Sequence, residues 1–580
     1  MNWSAFALVS IAIGCKPDTG DSSLTDTTHS SPDTETEETD ESGDTDETGG
    51  DTPDDTEETA DTGPVKEVNL IEHGVVTCAD PSARQSEGAF YEPDFGLTWT
   101  SQAVADRWPP EGGPQSGMGI TIADFTGDGL IDVFLPMVGP SRLFVGQEDG
   151  TMVDETEARF KPAGGDQMSE AAVAGDLDSD GDLDLILFNR NAANTLFENT
   201  DGVLTEVPGA LPEAIRASVG GALGDLDEDG DLDVVVANHD PQEEPPEPLD
   251  GGDDNELYIN EGGLSFTSGE ARYPKSTIGS YTFVAGIIDL DVDGLPDVYL
   301  ANDRGQEVIP NRYLRNVDGT SFEDVSDETY TNMAMGAMGI GLGDVNDDGK
   351  PDMAITNWGP IKLLESLSDG TWLQTEASRG VANTGEHGAN ATWGLEFTDI
   401  DNDGDLDLPI VAGQLMKEQP VPNNPDAQPN VLFVQDDKGL FTNEAAAYGF
   451  DDASNHRGLI ATDLNQDGWI DLVASDLNDT ARFWYSRCGA ESWLRVDLSQ
   501  VGVNPDGIGA RVEVQVGDKT MSRWMVAGGT SFVTSAPPEV HFGLGEHEVV
   551  DKLEVRWPDG SRSIVEDIEA RQRVTVVRSK

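Results

Sequence analysis

Between residues 119 and 486 the chain repeats one pattern, in which a short apolar run, a nine-residue acidic loop and a second apolar run follow one another. The runs after the loops, such as Val133–Leu135 and Val234–Val236, are rich in β-branched and aromatic residues and have the length of strands. Seven such loops begin about 50 to 65 residues apart. This spacing is typical of a β-propeller blade and not of a helical solenoid. The pattern therefore predicts an all-β fold built from seven strand–loop–strand units.

Each loop carries oxygen-bearing side chains at alternate positions and a glycine at the sixth position. Side chains at positions 1, 3, 5 and 9 would bind one cation, with the backbone carbonyl of position 7, because a tight turn brings alternate residues to one side. This donor set favours calcium over magnesium or zinc, and no His or Cys lies in any loop.

In chain order, the seven candidate metal sites are as follows. Position 1 is Asp124, Asp176, Asp225, Asp289, Asp344, Asp399 and Asp463. Position 3 is Thr126, Asp178, Asp227, Asp291, Asn346, Asp401 and Asn465. Position 5 is Asp128, Asp180, Asp229, Asp293, Asp348, Asp403 and Asp467. Position 7 is Leu130, Asp182, Asp231, Leu295, Lys350, Asp405 and Trp469. Position 9 is Asp132, Asp184, Asp233, Asp297, Asp352, Asp407 and Asp471.

Two other interpretations of the loops fit the sequence less well. An EF-hand shares the first six positions but needs Glu at position 12, where this chain has only apolar residues such as Leu135 and Ala474. Ordinary hairpin turns are also rich in Asp, Asn and Gly, although they do not require an acid at the ninth position. We predict up to seven calcium ions in a mainly structural role, with weaker binding where Thr126, Asn346 or Asn465 replaces the third carboxylate.

The N-terminal region predicts export from the cell. Residues 1–15 contain an apolar stretch, Ala5–Ile13, that is too short to span a membrane and is followed by Gly14-Cys15. This stretch resembles a lipoprotein-type signal peptide with lipidation at Cys15, while an ordinary secretory signal or a different start are the alternatives. Residues 16–65 are mostly Asp, Glu, Thr, Ser, Gly and Pro, which predicts a disordered acidic linker. We expect a bacterial cell envelope protein, lipid-anchored at the outer membrane or cell surface, or else a secreted one.

The chain is strongly acidic, with 112 acidic and 33 basic residues and a formal net charge of -79. This charge excludes nucleic acid and anionic membrane surfaces as favoured partners, so membrane contact is expected only through the lipid anchor. The other two cysteines, Cys78 and Cys488, flank the repeats, and a disulfide between them would lock a closed ring. Two unpaired thiols are the alternative.

Further apolar segments, such as Asn194–Asn199 and Asn255–Asn260, supply about four strands per unit, and the segment that begins at Phe90 is expected to complete the last one. The repeats resemble the FG-GAP/VCBS repeats of integrin-type propellers, and the whole arrangement resembles the cartilage acidic protein family. The C-terminal segment is similar to the ASPIC/UnbV domain at Asn504–Val512, Gly528–Phe532, His541–Gly545 and Val555–Gly560.

The resemblance implies a calcium-binding extracellular protein. It also implies a seven-bladed β-propeller over residues 66–489, followed by a small β-domain over residues 490–580. Four arginines of the small domain stand out in so acidic a chain, and they either bind an anionic ligand or dock against the propeller. These residues are Arg511, Arg523, Arg556 and Arg562.

The sequence contains no Gly-x-Ser-x-Gly motif, no paired His ligands and no phosphate loop. We therefore predict a monomeric, non-enzymatic binding or adhesion module for an extracellular protein or glycan. A calcium-dependent polysaccharide lyase or hydrolase on a propeller scaffold is the alternative, although Lys and Arg are sparse for holding an anionic sugar. Trp358, Trp393 and Trp484 either stack on sugar rings or pack between blades.

Overall fold

The computed structural model describes residues 63–91, 119–148, 150–163, 167–239, 251–381, 391–414, 427–476 and 481–579. The chain divides into two units, Met1–Asp61 and Thr62–Lys580. The expected signal peptide, with Cys15, and most of the expected linker lie outside the described residues. Within the described ranges, no helix has the length and apolar character needed to cross a bilayer.

Seven successive antiparallel sheets of four strands form the larger part of the structure, and in each sheet the first two strands flank one acidic loop. We number them sheets 1 to 7 in chain order. Sheet 1 contains Ile120–Ala123, Asp132–Leu135, Arg142–Gly146 and Met152–Asp154. Sheet 2 contains Gln167–Gly175, Asp184–Ala192, Thr195–Thr200 and Val203–Glu206. Sheet 3 contains Arg216–Gly224, Asp233–Asn238, Glu256–Asn260 and Phe266–Ser268. Sheet 4 contains Tyr281–Ile288, Asp297–Asp303, Arg312–Val317 and Ser321–Asp324. Sheet 5 contains Ala337–Gly343, Asp352–Asn357, Lys362–Ser366 and Trp372–Gln374. Sheet 6 contains Thr392–Leu395, Leu408–Ala412, Val431–Gln435 and Phe441–Asn443. Sheet 7 contains His456–Thr462, Asp471–Asp476, Arg482–Ser486 and Phe90–Tyr91.

The remaining elements are short. The α-helices are Ala83–Glu87, Thr156–Arg159, Ser326–Thr329, Glu376–Arg379 and Ala445–Tyr448, and the 3-10 helices are Glu270–Arg272 and Lys275–Thr277. Four two-residue strands lie at the edges of the sheets or between them, at Val138–Gly139, Phe160–Lys161, Gln428–Pro429 and Ala453–Ser454.

The second strand of each sheet lies deep in the protein. Asp233–Asn238, Asp352–Asn357 and Asp471–Asp476 are buried at every position. Because neighbouring sheets cover both faces of these strands, the residues that follow the first Asp form a short continuous apolar run and not an alternating pattern.

The first and last sheets pack against each other. Ile122 and Val133 of sheet 1 share a buried cluster with Ile460 and Val473 of sheet 7. A series of sheets whose last member packs on its first forms a closed ring, which is the arrangement of a β-propeller. The predicted all-β propeller is thus the fold of this part of the chain.

Sheet 7 takes its fourth strand from the other end of the repeats. Phe90–Tyr91 pairs antiparallel with Arg482–Ser486, and the Arg487 N–H donates to the Ala89 carbonyl at 2.8 Å. Close by, Cys78 and Cys488 form a disulfide with their Cα atoms 5.7 Å apart. The two ends of the repeats are therefore held together both by strand pairing and by a covalent bond.

The C-terminal β-domain is a two-sheet sandwich around its own core, which includes Leu494, Val512 and Val574. One sheet has the strand order Val68–Glu72, Gln572–Arg578, Ser492–Gln500 and Val540–Gly545. The other sheet has the order Lys519–Trp524, Arg511–Val516, Val549–Arg556 and Arg562–Glu569.

The start of the described chain belongs to this sandwich. Val68–Glu72, which the expected boundary at residue 66 assigns to the propeller, pairs antiparallel with Gln572–Arg578. The boundary drawn from the sequence therefore needs correction here. The strand covers an edge of the sheet that would otherwise present unpaired backbone groups to solvent.

Residues 525–540 leave the sandwich and enter the centre of the ring, and we call them the channel segment. Ala527–Gly528 pairs antiparallel with the first strand of sheet 3, and Thr534–Ser535 pairs in parallel with the first strand of sheet 1. Between these pairs, the Ser531 N–H donates to the Ile340 carbonyl in the first strand of sheet 5 at 2.7 Å. The segment is therefore paired with inner strands on several sides of the ring.

Aromatic residues pack together around the middle of the channel segment. The Phe532 ring centroid lies 5.4 Å from that of Phe283 and 5.0 Å from that of Trp393. Trp393 and Trp484 are buried, so these two tryptophans pack in the core. Trp358 is exposed.

Candidate functional site

All seven acidic loops have the same backbone conformation. Position 4 has a positive φ in every loop, from 56° at Asp347 to 69° at Gly127. The glycine at position 6 has a φ between 83° at Gly349 and 102° at Gly181, a region that residues with a β-carbon rarely adopt. Because even Val292 at position 4 takes this conformation, the loop geometry and not the local residue sets the backbone.

The aspartate at position 9 closes each loop onto its sheet. One oxygen of Asp184 accepts the Leu177 N–H from position 2 at 3.0 Å, and the other accepts the Asn199 N–H from the third strand at 2.8 Å. The same two backbone donors contact the position 9 carboxylate in all seven loops. The recurrence of this acid therefore has a structural cause even without a cation.

In four loops, three carboxylate oxygens lie within 4.8 Å of one another, a geometry that can hold a metal ion. The groups are Asp176, Asp178 and Asp184; Asp225, Asp227 and Asp229; Asp289, Asp291 and Asp297; and Asp399, Asp401 and Asp407. These are the four loops with Asp at position 3. Among the described residues, the loops with Thr126, Asn346 or Asn465 form no such group.

In most loops the carboxylate at position 5 lies outside the group of three close oxygens. Its carboxylate belongs to the close group only at Asp229. In all seven loops it accepts the N–H of position 7, as Asp180 does from Asp182 at 3.0 Å. Positions 1, 3 and 9 therefore converge in three of the four groups, whereas positions 1, 3 and 5 converge in the loop of Asp225.

Several loop oxygens are buried without a hydrogen-bond partner, and all of them belong to positions 1 and 3. They are Thr126 Oγ1, Asp178 Oδ1, Asp225 Oδ1, Asp227 Oδ1 and Asp401 Oδ1. A buried oxygen that accepts no hydrogen bond destabilises the fold unless another group satisfies it. Hard oxygen donors left in this state fit a divalent cation.

Burial raises the pKa of the position 9 carboxyl group in every loop and of the position 1 carboxyl group in most loops, and neighbouring carboxylates raise it further, against the opposing effect of backbone donors. At position 9 the pKa of Asp184, Asp233 and Asp352 reaches about 8. At position 1 the pKa of Asp176 and Asp225 reaches about 6. A bound divalent cation would favour the ionised form and displace these protons.

Two family descriptions match the chain. The FG-GAP-like repeat matches residues 124–187, 176–236, 289–355 and 344–408. The ASPIC and UnbV description matches residues 500–580. The chain is an FG-GAP repeat protein with a C-terminal ASPIC/UnbV domain. The family resemblance drawn from the sequence is confirmed.

This FG-GAP repeat protein is similar to Cartilage acidic protein 1 of Xenopus tropicalis, with 24% identity over 324 residues that cover 52% of this chain and 46% of the relative. The human protein of the same name is 25% identical over 310 residues, covering 51% and 43%. The chain thus spans about half the length of the curated relatives it matches. A solved lectin of Agrocybe aegerita, described as specifically recognising non-reducing terminal N-acetylglucosamine, is 16% identical with a TM-score of 0.36, covering 57% of this chain and 79% of the lectin.

The ASPIC/UnbV domain rests on several of the FG-GAP loops at the glycine of position 6. A Cβ atom at Gly468 would overlap the indole of Trp493, and one at Gly349 would lie 2.7 Å from Arg511 Nη2. Gly230 meets the ASPIC/UnbV domain in the same way. This glycine therefore allows the close approach of the domain as well as the positive φ, and only the φ was predicted from the sequence.

Basic side chains of the ASPIC/UnbV domain contact the acidic loops. Lys519 Nζ lies 3.3 Å from Asp347 Oδ2, and it also donates to the Gly404 carbonyl at 2.8 Å and pairs with Asp405. Arg523 is buried between the domains, where the carboxylates of loops 5 and 6 act on its charge. Opposite charges therefore meet where the domain docks.

The four arginines for which the sequence predicted either anion binding or docking fall into two pairs. Arg511 and Arg523 face the acidic loops. Arg556 pairs with Glu513 at 3.1 Å, a carboxylate that Arg511 also contacts at 2.6 Å, and Arg562 pairs with a second carboxylate of the same ASPIC/UnbV domain. Arg556 and Arg562 thus make ion pairs within the domain itself.

No role was predicted from the sequence for the asparagines at the ends of the third strands, although they have a structural one. The asparagines at the ends of the third strands donate from Nδ2 to the position 2 carbonyl of the preceding loop. Asn199 donates to Phe125 at 2.9 Å, and Asn260 donates to Leu177 at 3.0 Å. Asn316 makes the same contact with loop 3. The signal was present in the sequence, because each of these asparagines ends the recurring Asn-x-x-x-x-Asn segment.

Proposed function

We propose that this protein is a calcium-binding propeller at the cell surface and acts as a non-enzymatic binding or adhesion module for an extracellular protein or glycan. The observation that carries the calcium assignment is the set of unpartnered buried oxygens at positions 1 and 3 of the loops. All donors in these loops are oxygens, which favours calcium over transition metals.

Calcium has a structural role in this proposal. Each loop joins the two innermost strands of its sheet, and the ASPIC/UnbV domain rests on several of the loops. Extracellular calcium modules typically bind with a Kd of about 0.1 to 1 mM, so tenfold excess adds about 1.4 kcal/mol per site. Seven sites would supply about 10 kcal/mol, which equals the stability of a typical domain.

Recognition belongs to the face of the ring opposite the acidic loops. The docked domain occupies much of the loop face, and the channel segment enters the ring. Connections between the second and third strands emerge on the opposite face, because consecutive turns of an antiparallel sheet lie at opposite ends. Loops on a rigid scaffold commonly carry binding residues.

The calcium assignment is tested by thermal melts of the full chain in chelator and across a calcium titration, with bound metal counted in parallel. We expect a large rise in Tm with several ions bound, and a smaller rise in magnesium, which keeps its waters more firmly. An unchanged Tm with no bound calcium would show that the loops are only turns.

The surface location is a separate part of the proposal, with a lipid anchor at Cys15 in the bacterial cell envelope. Cys15→Ser should move the protein from the membrane fraction to the soluble fraction of a bacterium that exports it. If the variant stays in the membrane fraction, the anchor is not at Cys15. A protein that is soluble in both forms supports secretion.

A further inference from the structure

Trp358 lies between the second and third strands of sheet 5, on the face away from the acidic loops. Its exposed fraction is 55%, whereas Trp393 and Trp484 are each 2% exposed. The backbone of Trp358 is held in place, because its N–H donates to the Gly336 carbonyl at 3.3 Å and the residue pairs with Ala391. A large aromatic ring is thus presented to solvent on a fixed backbone.

Gly336 lies close to both Trp358 and the carboxylate of Asp303. A Cβ atom at Gly336 would lie 3.9 Å from the Trp358 Cβ and 3.1 Å from Asp303 Oδ1. Since residue 336 is glycine, it places no side chain between Trp358 and the carboxylate of Asp303. Trp358 and Asp303 therefore both lie beside Gly336.

The carboxylate of Asp303 is held by its neighbours. His239 Nε2 lies 3.4 Å from Asp303 Oδ2, and the Arg304 backbone N–H donates to Oδ1 at 2.8 Å. The His239 ring stacks on Phe283 with centroids 4.1 Å apart, and the Arg304 guanidinium lies 5.5 Å from the centre of the Tyr281 ring. The polar groups beside Trp358 are therefore fixed before any ligand arrives.

An exposed indole with a carboxylate and a guanidinium nearby suits a sugar ring better than a protein surface. A pyranose has an apolar face that packs on one aromatic ring and hydroxyl groups that pair with carboxylate and guanidinium groups. The centre of a protein interface needs several apolar residues together. The other large apolar residues exposed in sheet 5, Leu367 and Leu373, lie in the turn at the loop end and in the outer strand.

The charge of the chain restricts the class of sugar. A net charge of -79 repels sulfated and uronic acid polymers at long range. Beside Trp358, the negative charge of Asp303 is balanced by Arg304, whose Nε lies 3.9 Å from the carboxylate. A neutral saccharide is therefore the ligand that the electrostatics permit.

We propose that Trp358, Asp303 and Arg304 form a binding site for neutral saccharides. The sugar ring stacks on the indole, its hydroxyl groups donate to Asp303, and Arg304 donates to a sugar oxygen. This inference rests on the proposed function as a binding module and names the ligand class of that module.

The test is a glycan array with neutral and acidic sets, followed by affinity measurements on the full chain in calcium. We expect binding to members of the neutral set. Trp358→Ala should weaken that binding about tenfold or more, since a stacked aromatic contact is worth about one power of ten. Asp303→Asn, which keeps the shape of the side chain, should also weaken it. Tyr330→Ala removes another exposed aromatic ring, next to sheet 4, and should leave the affinity unchanged.

The outcomes separate this site from the broader proposal. Equal affinity of Trp358→Ala and the parent protein overturns the site while leaving a saccharide-binding module elsewhere on the ring. Binding confined to the acidic set, or to none of the array, overturns the neutral saccharide. In those cases, the calcium-dependent melt and the binding of a protein ligand still test the proposed function. A protein ligand that is lost on Trp358→Ala would replace the saccharide at this site.

Discussion

The indole of Trp493 lies where a side chain at Gly468 would be, so the C-terminal domain rests directly on the backbone of the seventh acidic loop. Gly489, the residue after the disulfide-bonded Cys488, lies against the Trp469 ring of the same loop, 2.7 Å from where its Cβ would be. The region where the ring closes is therefore also a region where the domain docks.

Gly468→Ala should displace Trp493 and weaken docking. Gly129→Ala is the matched control, because both glycines hold position 6 with a φ of 84° and nothing lies within 4 Å of a Cβ at Gly129. Backbone strain of about 1 to 2 kcal/mol applies to both variants. Gly468→Ala should cost about 3 kcal/mol more, since it displaces a buried Trp. Thermal melts in calcium measure the difference, and equal losses would contradict the docking role.

Thr126→Asp should change stability with opposite signs in calcium and in chelator. The variant supplies the carboxylate that loop 1 lacks at position 3, where Thr126 Oγ1 is buried without a partner. In calcium, tighter binding should add roughly 1 kcal/mol, while in chelator the added charge beside Asp124 and Asp132 should destabilise the loop. Thr126→Asn, a neutral control, should show little of either effect. A shift of the same sign in both melts would argue against a cation in loop 1.

The metal-free protein should lose stability as pH rises. In the folded chain, burial raises the pKa of Asp184, Asp233 and Asp352 to about 8, above the ordinary range of an unfolded Asp. A raised carboxyl pKa stabilises the fold when the group is protonated, and that stability is lost as pH passes through the folded pKa. The Tm in chelator should therefore fall between about pH 5 and pH 8.

Calcium should remove this pH dependence, because the ion replaces the protons on the carboxyl groups. Melts across the same pH range in saturating calcium provide the comparison. A Tm in chelator that is flat or rises over this range would mean that these carboxylates are ionised and otherwise stabilised.

Asn260→Asp should destabilise the contact between sheet 3 and loop 2. Asn260 Nδ2 donates to the Leu177 carbonyl at 3.0 Å and to the Leu232 carbonyl at 3.3 Å, and an Asp of the same shape has neither donor. The loss should be about 2 to 4 kcal/mol, because two buried carbonyls lose their partner. Asn443→Asp is the control, since its exposed side chain only accepts the Ala445 N–H. Similar Tm values for the two variants would show that Asn260 does not join the sheets.

The loops could be predicted from the sequence because their geometry is local. The spacing of Asp176, Asp178 and Asp184 is enough to bring three carboxylates together once the turn forms. The strand at Phe90–Tyr91 could be predicted as well, because the last repeat lacks a fourth strand and an apolar segment lies upstream.

Long-range contacts were not predictable in the same way. Nothing in the residues around Ala527–Gly528 indicates that they pair with sheet 3, since the pairing depends on how the finished ring accepts the channel segment. The contact of Gly468 with Trp493 could not be predicted, because the positive φ of the loop is by itself a sufficient reason for a glycine at this position. The backbone contacts of Asp184 explain why an acid at position 9 is weaker support for a metal than its recurrence suggests.

The closure of the ring has a consequence for the order of folding. Phe90–Tyr91 appears early in synthesis, but its partner strand comes only after the other sheets, and the channel segment follows later still. Contacts between such distant parts of a chain form slowly, because a long segment must be ordered before they are made. The ring therefore cannot be completed until most of the chain has been made, and some of its earliest residues are among the last to find their partners.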